Sequence, residues 1–520
     1  MGRAINSIVT FLNHRPYILY CLLFIIGLGI FGYLHFDQTF ADPDSFYHAK
    51  LTEFLITKGA ITEFPWLSVT TLARGFIDHH FLYHILLVPF VLLLTPLIGL
   101  KVFTVIFSSL TILALFWFLR SLQVRGAFWY ALFLITVNPF VFRLSLAKAQ
   151  QVVLLLLFLF LFFLLRRNYI GLILVSCVYV WSYAGWPLLL LLGFLYAAVN
   201  WFWNISQRGW FKFKLDRLKL HWQNAWLLLS IVIGLAAGLF FSPYFPTNLN
   251  FYWQQSFKIA VVNYQYIIDV GAEWYPYSPL DLLASAIPFF ALVLIALLAF
   301  IIFYDKQPMN SWFFLVVSFL FFALTLKSRR YVEYFIPLAL IFSALSLNVL
   351  VRQFEGEIVR LISRKYLWLL FAVIVIGLIP VAARDLASVK DFYRRGFAFN
   401  KFEEPARWLK ENSQPGDVVF HSDWDEFPIL FYHNDQNYYL VGLDPTFMYE
   451  YDPGLHQRWV DIVTGHDDQD LYVKIKNLYN ARYVFVDIKQ NESFANHLAD
   501  EPLFEEVFSN QEAKIYRLNE

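Results

Sequence analysis

Apolar runs long enough to cross a bilayer recur at about 17–35, 101–119, 126–141, 150–165, 169–184, 186–203, 225–242, 281–304, 311–326, 331–350 and 367–383. Each predicts a transmembrane helix, since about 20 apolar residues span the hydrocarbon at a rise of about 1.5 Å per residue. About eleven spans make this an α-helical polytopic membrane protein. No small-residue cleavage site follows the first run, so it is expected to be a retained helix rather than a signal peptide.

His84 to Leu100 is equally apolar, and a further span there would reverse every later loop. The basic residues argue against it. Arg3 and Arg15, Arg120 and Arg125, Arg166 and Arg167, Arg208, Lys212, Lys214, Arg217 and Lys219, Lys306, and Arg352, Arg360, Arg364 and Lys365 share one side only if 84–100 does not cross. By the positive-inside rule that side is cytoplasmic. Pro89, Pro96 and Gly99 are expected to interrupt the stretch, leaving helices on the outer membrane surface within a first external loop of about 36–100. The N-terminus then faces the cytoplasm, and the polar part from about Arg384 lies outside.

That part changes pattern. Phe402 to Asn412 reads as a helix, Pro415-Gly416-Asp417 as a turn, and Val418 to His421, Tyr438 to Gly442 and Ala481 to Ile488 as short strands among helical stretches. The expectation is a transmembrane domain over 1–383 and a small extracytoplasmic, or periplasmic, α/β domain over 384–520.

Composition agrees: 59% of residues are hydrophobic, 20% aromatic and 15% charged, a membrane balance rather than a soluble one. A net charge of +1 without a basic, aromatic-interleaved tract speaks against nucleic acid as a partner. Cys21 and Cys177 both lie in apolar runs, which excludes a disulfide framework and a thiolate metal site.

Ionisable residues gather on the predicted outer face: Asp42, Asp44 and His48; Asp78, His79 and His80; Arg143 and Lys148; Glu273; Lys327, Arg329 and Arg330; Asp423 and Asp425. Charges at membrane depth are costly and so mark binding or transfer sites. Ordinary roles compete with that reading. Asp44 before Ser45-Phe46-Tyr47 suits a helix cap, helix-end arginines snorkel, and an external Glu273 is unremarkable alone. His79 and His80 are adjacent and lack ligand spacing, which favours phosphate contact over metal. Arg329-Arg330 suits a bidentate grip on phosphate. Asn491-Glu492-Ser493 fits an N-glycosylation sequon, a tripeptide that also arises by chance.

Taken in order, these stretches resemble the catalytic subunits of oligosaccharyltransferases in the GT-C glycosyltransferase superfamily. Asp42-Pro43-Asp44-Ser45-Phe46-Tyr47-His48 is similar to the family's first-loop acidic motif, with Asp42 at its leading acid and Asp44 where the family has a non-acid. Phe107-Ser108-Ser109-Leu110-Thr111 resembles its second span, Gly271-Ala272-Glu273-Trp274-Tyr275-Pro276 its fifth-loop Glu motif, and Arg330-Tyr331 the Arg-Phe facing the lipid-linked donor. Val418 to Asp425 is similar to the strand entering the Trp-Trp-Asp-Tyr-Gly signature, here reduced to Asp423-Trp424-Asp425. Where the family carries a metal-binding acidic pair, this chain reads Ala147-Lys148-Ala149-Gln150-Gln151.

The resemblance implies a GT-C-like fold and transfer of a sugar or oligosaccharide from a polyprenyl-phosphate or -diphosphate donor, within the membrane lipid, to a protein or glycan acceptor outside. It implies Asp42 and Glu273 as catalytic carboxylates, Arg330 toward the donor phosphate, and Asp423, Trp424 and Asp425 as an acceptor or external-domain site; from their charge and place on the predicted outer face, Arg329, Arg143, Lys148, His79 and His80 are expected to join the phosphate site. A metal, Mg²⁺ or Mn²⁺, would sit on Asp42 and Glu273. The missing acidic pair points instead to metal-independent transfer, with Arg143 or Lys148 supplying the charge. A lipid-linked glycan transporter and an inert glycan-binding membrane protein are the competing classes.

Overall fold

The computed structural model of the protein describes residues 15–208, 214–262, 264–361 and 364–519. Arg3 and Lys212, used above for orientation, lie outside the described residues. So do the side chains of Arg208, Lys214, Arg217, Lys219, Arg360, Arg364 and Lys365. The chain divides into two compact units, one of residues 1–37, 103–238 and 272–394, the other of residues 38–102, 239–271 and 395–520.

The first unit is helical. In lipid every backbone N–H and C=O must find its partner within the segment, so apolar runs have little choice but to coil. Among the described residues seven helices are long and apolar enough to cross, and two bent pairs raise this to nine: Ala127–Leu134 with Asn138–Ser145, turned by 73°, and Pro279–Ser285 with Ile287–Ile302, turned by 97°. Gln150–Leu165 and Tyr169–Val180 are shorter apolar helices. Each of the eleven expected runs therefore carries a helix or a helix pair, and the protein is multi-pass.

Three features of this unit position the site. Val137 is extended ahead of Asn138-Pro139, so the elbow falls where Pro at the second helical position can start a new helix but not continue an old one. Val332–Leu361 packs along Met309–Lys327 and Ile287–Ile302, and its spanning window is 78% buried, against 11% for Ala372–Arg394. That makes it the central helix of the unit. Close packing also uses Gly234 and Gly238, where a Cβ would lie 2.4 Å from the Ile173 carbonyl oxygen and 2.5 Å from that of Cys177. Small residues at this spacing let two helix backbones meet.

The second unit contains a five-stranded sheet. Its strands follow a two-stranded antiparallel ribbon of β1 (Thr39–Phe40) and β2 (Phe397–Ala398). They are β3 (Val418–His421), β4 (Tyr438–Tyr439), β5 (Ala481–Asp487), β6 (Phe504–Ser509) and β7 (Ala513–Leu518), in the order β4-β3-β5-β7-β6. β3 runs parallel to both neighbours, with Val419 opposite Tyr483 and His421 opposite Phe485. Covered on both faces, it is buried at every residue, as an apolar parallel strand should be. Phe420, Val484, Met448, Ile475, Leu498 and Tyr516 form the core.

Helix Asp44–Thr57 packs on Phe427–His433. The loop after it pairs with β4, Ser68 N donating to the Tyr439 carbonyl at 2.9 Å.

Several expectations need correction. Pro89 lies inside the intact helix Phe81–Leu93, where it removes only one N–H. The chain breaks at Leu94, which is extended, because the residues just before Pro96 are pushed out of the helical region and Pro96 then opens the helix Pro96–Ser121. Gly99 interrupts nothing. A Cβ there would sit 2.6 Å from the Phe90 carbonyl oxygen, so it allows the two helices to approach. The expected strand 438–442 is only Tyr438–Tyr439, and β6 and β7 were not anticipated, their alternation being weak beside the charged residues of 504–517.

Candidate active site

In the helical unit the elbow at Val137 turns Asn138–Ser145 so that Arg143 is buried, 7% exposed. Its Nε donates to Glu333 Oε2 at 2.9 Å and its Nη1 to Glu273 Oε2 at 2.6 Å. Glu333 stands in the first turn of the central helix and is 2% exposed. Arg330 precedes that helix and approaches Glu273 Oε1 at 3.7 Å. Its Nη2 donates to the Tyr183 hydroxyl oxygen at 2.8 Å, and its guanidinium lies 4.2 Å from the Trp274 ring centre.

The loop holding Glu273 is tied to the same turn by its backbone. Arg330 N donates to the Glu273 carbonyl at 3.1 Å, and the Ser328 hydroxyl donates to that carbonyl at 2.8 Å.

Burial alone would push the Glu273 carboxyl up, but Arg330, Arg143 and Lys148 together hold it well below the usual carboxylate range. It is an anion at any physiological pH. Tyr183 follows the helix Tyr169–Val180 and joins the cluster through its hydroxyl. Arg143, Arg330, Lys148 and Glu273 are thus brought together as the sequence suggested. Arg329 is not: it is exposed and donates to the Pro276 carbonyl at 3.2 Å. Glu333 and Tyr183 were missed. Glu333 had a legible signal, a carboxylate four residues before Pro337 at the head of the apolar run 334–351.

Asp42, His79, His80 and Asp423 to Asp425 belong to the second unit. Asp42 Oδ1 accepts the Asp44 N–H at 2.9 Å. The helix begins at Asp44 with Pro43 as its cap position, so the side chain serving the helix start is that of Asp42, not Asp44 as expected. Proline cannot bond its own helix end, and the acid on its N-terminal side does so instead.

His79 and His80 lie 4.0 Å apart between ring centres, with their planes tilted by 44°. They adjoin a buried chain in which His48 Nδ1 meets His84 Nε2 at 2.9 Å and His84 Nδ1 meets Asp78 Oδ2 at 2.7 Å. His84 was not singled out in the sequence.

Asp423 heads a capping box. Its Oδ1 accepts the Asp425 N–H at 3.1 Å while its own N–H donates to Glu426 Oε2 at 3.0 Å. Glu426 Oε1 also accepts from the Ser422 hydroxyl at 2.6 Å and from Asp487 N at 3.2 Å. The reduced signature is therefore a bonded turn joining the ends of β3 and β5, and burial raises both the Asp423 and the Glu426 carboxyls.

No group of three or more His, Cys, Asp or Glu among the described residues is placed to hold a metal ion. A hard divalent cation needs several free oxygen ligands. Both oxygens of Glu273 instead face guanidinium groups, so this donor set does not fit one.

No protein-family model matches the sequence, and no curated protein matches it. Solved structures do share the fold. The oligosaccharyltransferase AglB of Archaeoglobus fulgidus, in complex with an inhibitory peptide and a dolichol-phosphate, is 15% identical with a TM-score of 0.65 over 92% of this chain and 71% of that one. ArnT of Cupriavidus metallidurans, bound to undecaprenyl phosphate, is 13% identical with a TM-score of 0.59 over 96% of this chain and 97% of that one. The mycobacterial arabinofuranosyltransferase AftD is 11% identical with a TM-score of 0.54 over 96% of this chain and 40% of that one. The expected fold, a helical membrane part with a C-terminal sheet domain, is borne out by this likeness.

Proposed function

We propose that this chain is a membrane glycosyltransferase that moves a sugar from a polyprenyl-phosphate-linked donor to an acceptor at the extracytoplasmic membrane face. The observation that carries the reading is the buried cationic cluster: Arg143 and Arg330, with Lys148 beside them, fixed around Glu273 and Glu333. The solved structures of like fold include proteins bound to dolichol-phosphate and to undecaprenyl phosphate, which supports a polyprenyl phosphate as the ligand here.

Transfer breaks the bond between the anomeric carbon and the phosphate oxygen, and its electron pair leaves on the phosphate. Positive charge aimed in advance at that oxygen lowers the barrier without reorganisation. Glu273 and Glu333 hold the guanidinium groups in place for this role. A carboxylate kept as far down as Glu273 is a poor proton acceptor, so its work is to organise charge. Asp42 orients the acceptor. The cationic side chains supply what a divalent metal supplies elsewhere, and transfer proceeds without one.

Full activity after exhaustive chelation is the expected result, and restoration by Mn²⁺ alone would sink the metal-independent step. Arg330→Gln should lower transfer by about 100-fold or more, with normal expression. A wild-type rate in that variant, or in Asp42→Ala, would favour transport or binding over transfer.

A further inference from the structure

We propose that a basic cavity in the helical unit binds the phosphate headgroup of an anionic phospholipid. It is separate from the arginine cluster and independent of the transferase reading. Arg352, on its wall, lies 19 residues after Glu333 on the central helix, a rise of about 28 Å.

Three elements of that unit meet at the cavity, which holds about 410 Å³. Gln123 lines it from just past the helix Pro96–Ser121, Lys306 and Asn310 from either side of the start of Met309–Lys327, and Asn348 and Arg352 from Val332–Leu361. A space of this size takes a small ligand or a headgroup. Gln123 ends its helix in the left-handed region, with φ 57°, and its carbonyl lies outside the helical ladder. That carbonyl accepts from Arg352 Nη2 at 3.0 Å and from Asn348 Nδ2 at 3.3 Å, while Asn348 Oδ1 accepts the Arg125 N–H at 3.0 Å. These bonds aim the guanidinium and leave the rest of its five N–H groups for a ligand.

The charge here is positive and unanswered. Among the described residues neither Lys306 nor Arg352 makes an ion pair; Lys306 Nζ lies 5.9 Å from the Phe303 ring centre, and Asp305 beside it is exposed. The helix Met309–Lys327 opens at the cavity with Pro308 as its cap residue and no side-chain cap, so the positive end of its dipole adds to the two side chains. Gln307, between the lining residues Lys306 and Pro308, is 1% exposed, and neither its Oε1 nor its Nε2 has a hydrogen-bond partner among the described residues. Buried amides are ordinarily bonded. One left unbonded beside a basic cavity marks a place for a polar group from outside the chain.

A lipid fits this place better than a soluble anion. Leu122, Leu345 and Val349 line the cavity together with the polar groups. Ile301, Ile302 and Tyr304, which lead into Lys306, are 65%, 67% and 63% exposed. In a chain that crosses a bilayer such residues meet acyl chains and the headgroup boundary. A phosphodiester from that leaflet takes the two-pronged grip that a guanidinium favours, with Lys306 as a second, point charge. Basic pockets between membrane helices hold anionic headgroups in this way. Once bound, the lipid ties the three helix ends together.

Binding is read without turnover, on the purified full chain in detergent, with phosphatidylglycerol, phosphatidylcholine and inorganic phosphate as probes. Phosphatidylglycerol should bind and raise the melting temperature. Replacing both cations, Lys306→Gln with Arg352→Gln, should weaken that binding by about 10-fold or more. Arg166→Gln removes an exposed arginine outside the cavity and should leave binding at the wild-type level.

Equal binding of phosphatidylcholine, or an equal loss in Arg166→Gln, overturns the site in favour of general surface adsorption. Inorganic phosphate that matches the effect of phosphatidylglycerol overturns the lipid and gives the cavity to a soluble anion. Labelling of the wild type needs no folded variant: a photoactivatable phosphatidylglycerol should mark residues 304–310 or 345–353, and labelling confined to other segments overturns the proposal.

Discussion

At Glu273 one carboxylate faces two guanidinium groups, and its charge is what the arginines are arranged around. Glu273→Gln keeps the shape and removes the charge, leaving Arg143 and Arg330 to repel each other; transfer should fall by about 10- to 100-fold, read as kcat with little change in expression. The carboxyl sits lower in the folded protein than in the unfolded chain, so the unfolded chain binds the extra proton as pH falls below the ordinary 4.5. Its stabilisation is complete above that pH and is lost below it. The melting-temperature gap between wild type and Glu273→Gln should therefore hold steady above pH 5 and narrow below pH 4.5, and a gap that widens on acidification contradicts this.

His456 shows the opposite chemistry. It is 3% exposed, its Nδ1 has no hydrogen-bond partner, and burial pushes it down to about 4 from 6.5. Stability should be full above pH 6.5 and fall by on the order of 3 kcal/mol as pH drops to 4. His456→Phe should flatten that slope in thermal unfolding of the full chain.

Helices were legible as elements because lipid removes every alternative, and β3 because a doubly covered parallel strand reads as a plain apolar run. The hairpin of β6 and β7 was hidden by its charged residues, Glu505, Glu506 and Arg517, since two adjacent glutamates break the apolar alternation that marks a strand. Helix contacts were equally hidden, since a glycine in a span does not announce what it touches. Gly234→Leu should drive a side chain into the Ile173 carbonyl and cost about 1–3 kcal/mol. Gly29→Leu, where nothing lies within 4 Å, is the matched control. Equal thermal stability of the two variants in detergent would show that the Gly234 crossing does not matter to the element. The site itself was legible only residue by residue. Arg143 meets partners 130 and 190 positions away, and no local pattern joins them; Glu333 stands out as a carboxylate ahead of an apolar stretch, but nothing near it in sequence points to Arg143.

At the scale of the whole molecule, orientation decides which leaflet the donor must reach. Basic loops resist translocation, and those of this chain fall on one side when the helix Phe81–Leu93 does not cross. On the proposed reading the sheet-bearing segment faces the outside, and a donor sugar would be presented there. Two exposed positions separate the alternatives: Tyr304, beside Lys306, and Lys489, just past the end of β5. On a background with Cys21 and Cys177 replaced by serine, Lys489→Cys should react with a membrane-impermeant maleimide in intact cells, and Tyr304→Cys only after the membrane is opened. Labelling of Tyr304→Cys alone in intact cells would invert the topology. Labelling of both would mean that the helices between them cross an odd number of times fewer or more than the charge pattern requires. Either result would move the site to the face where the basic loops now stand, and with it the leaflet from which a polyprenyl-phosphate sugar is drawn.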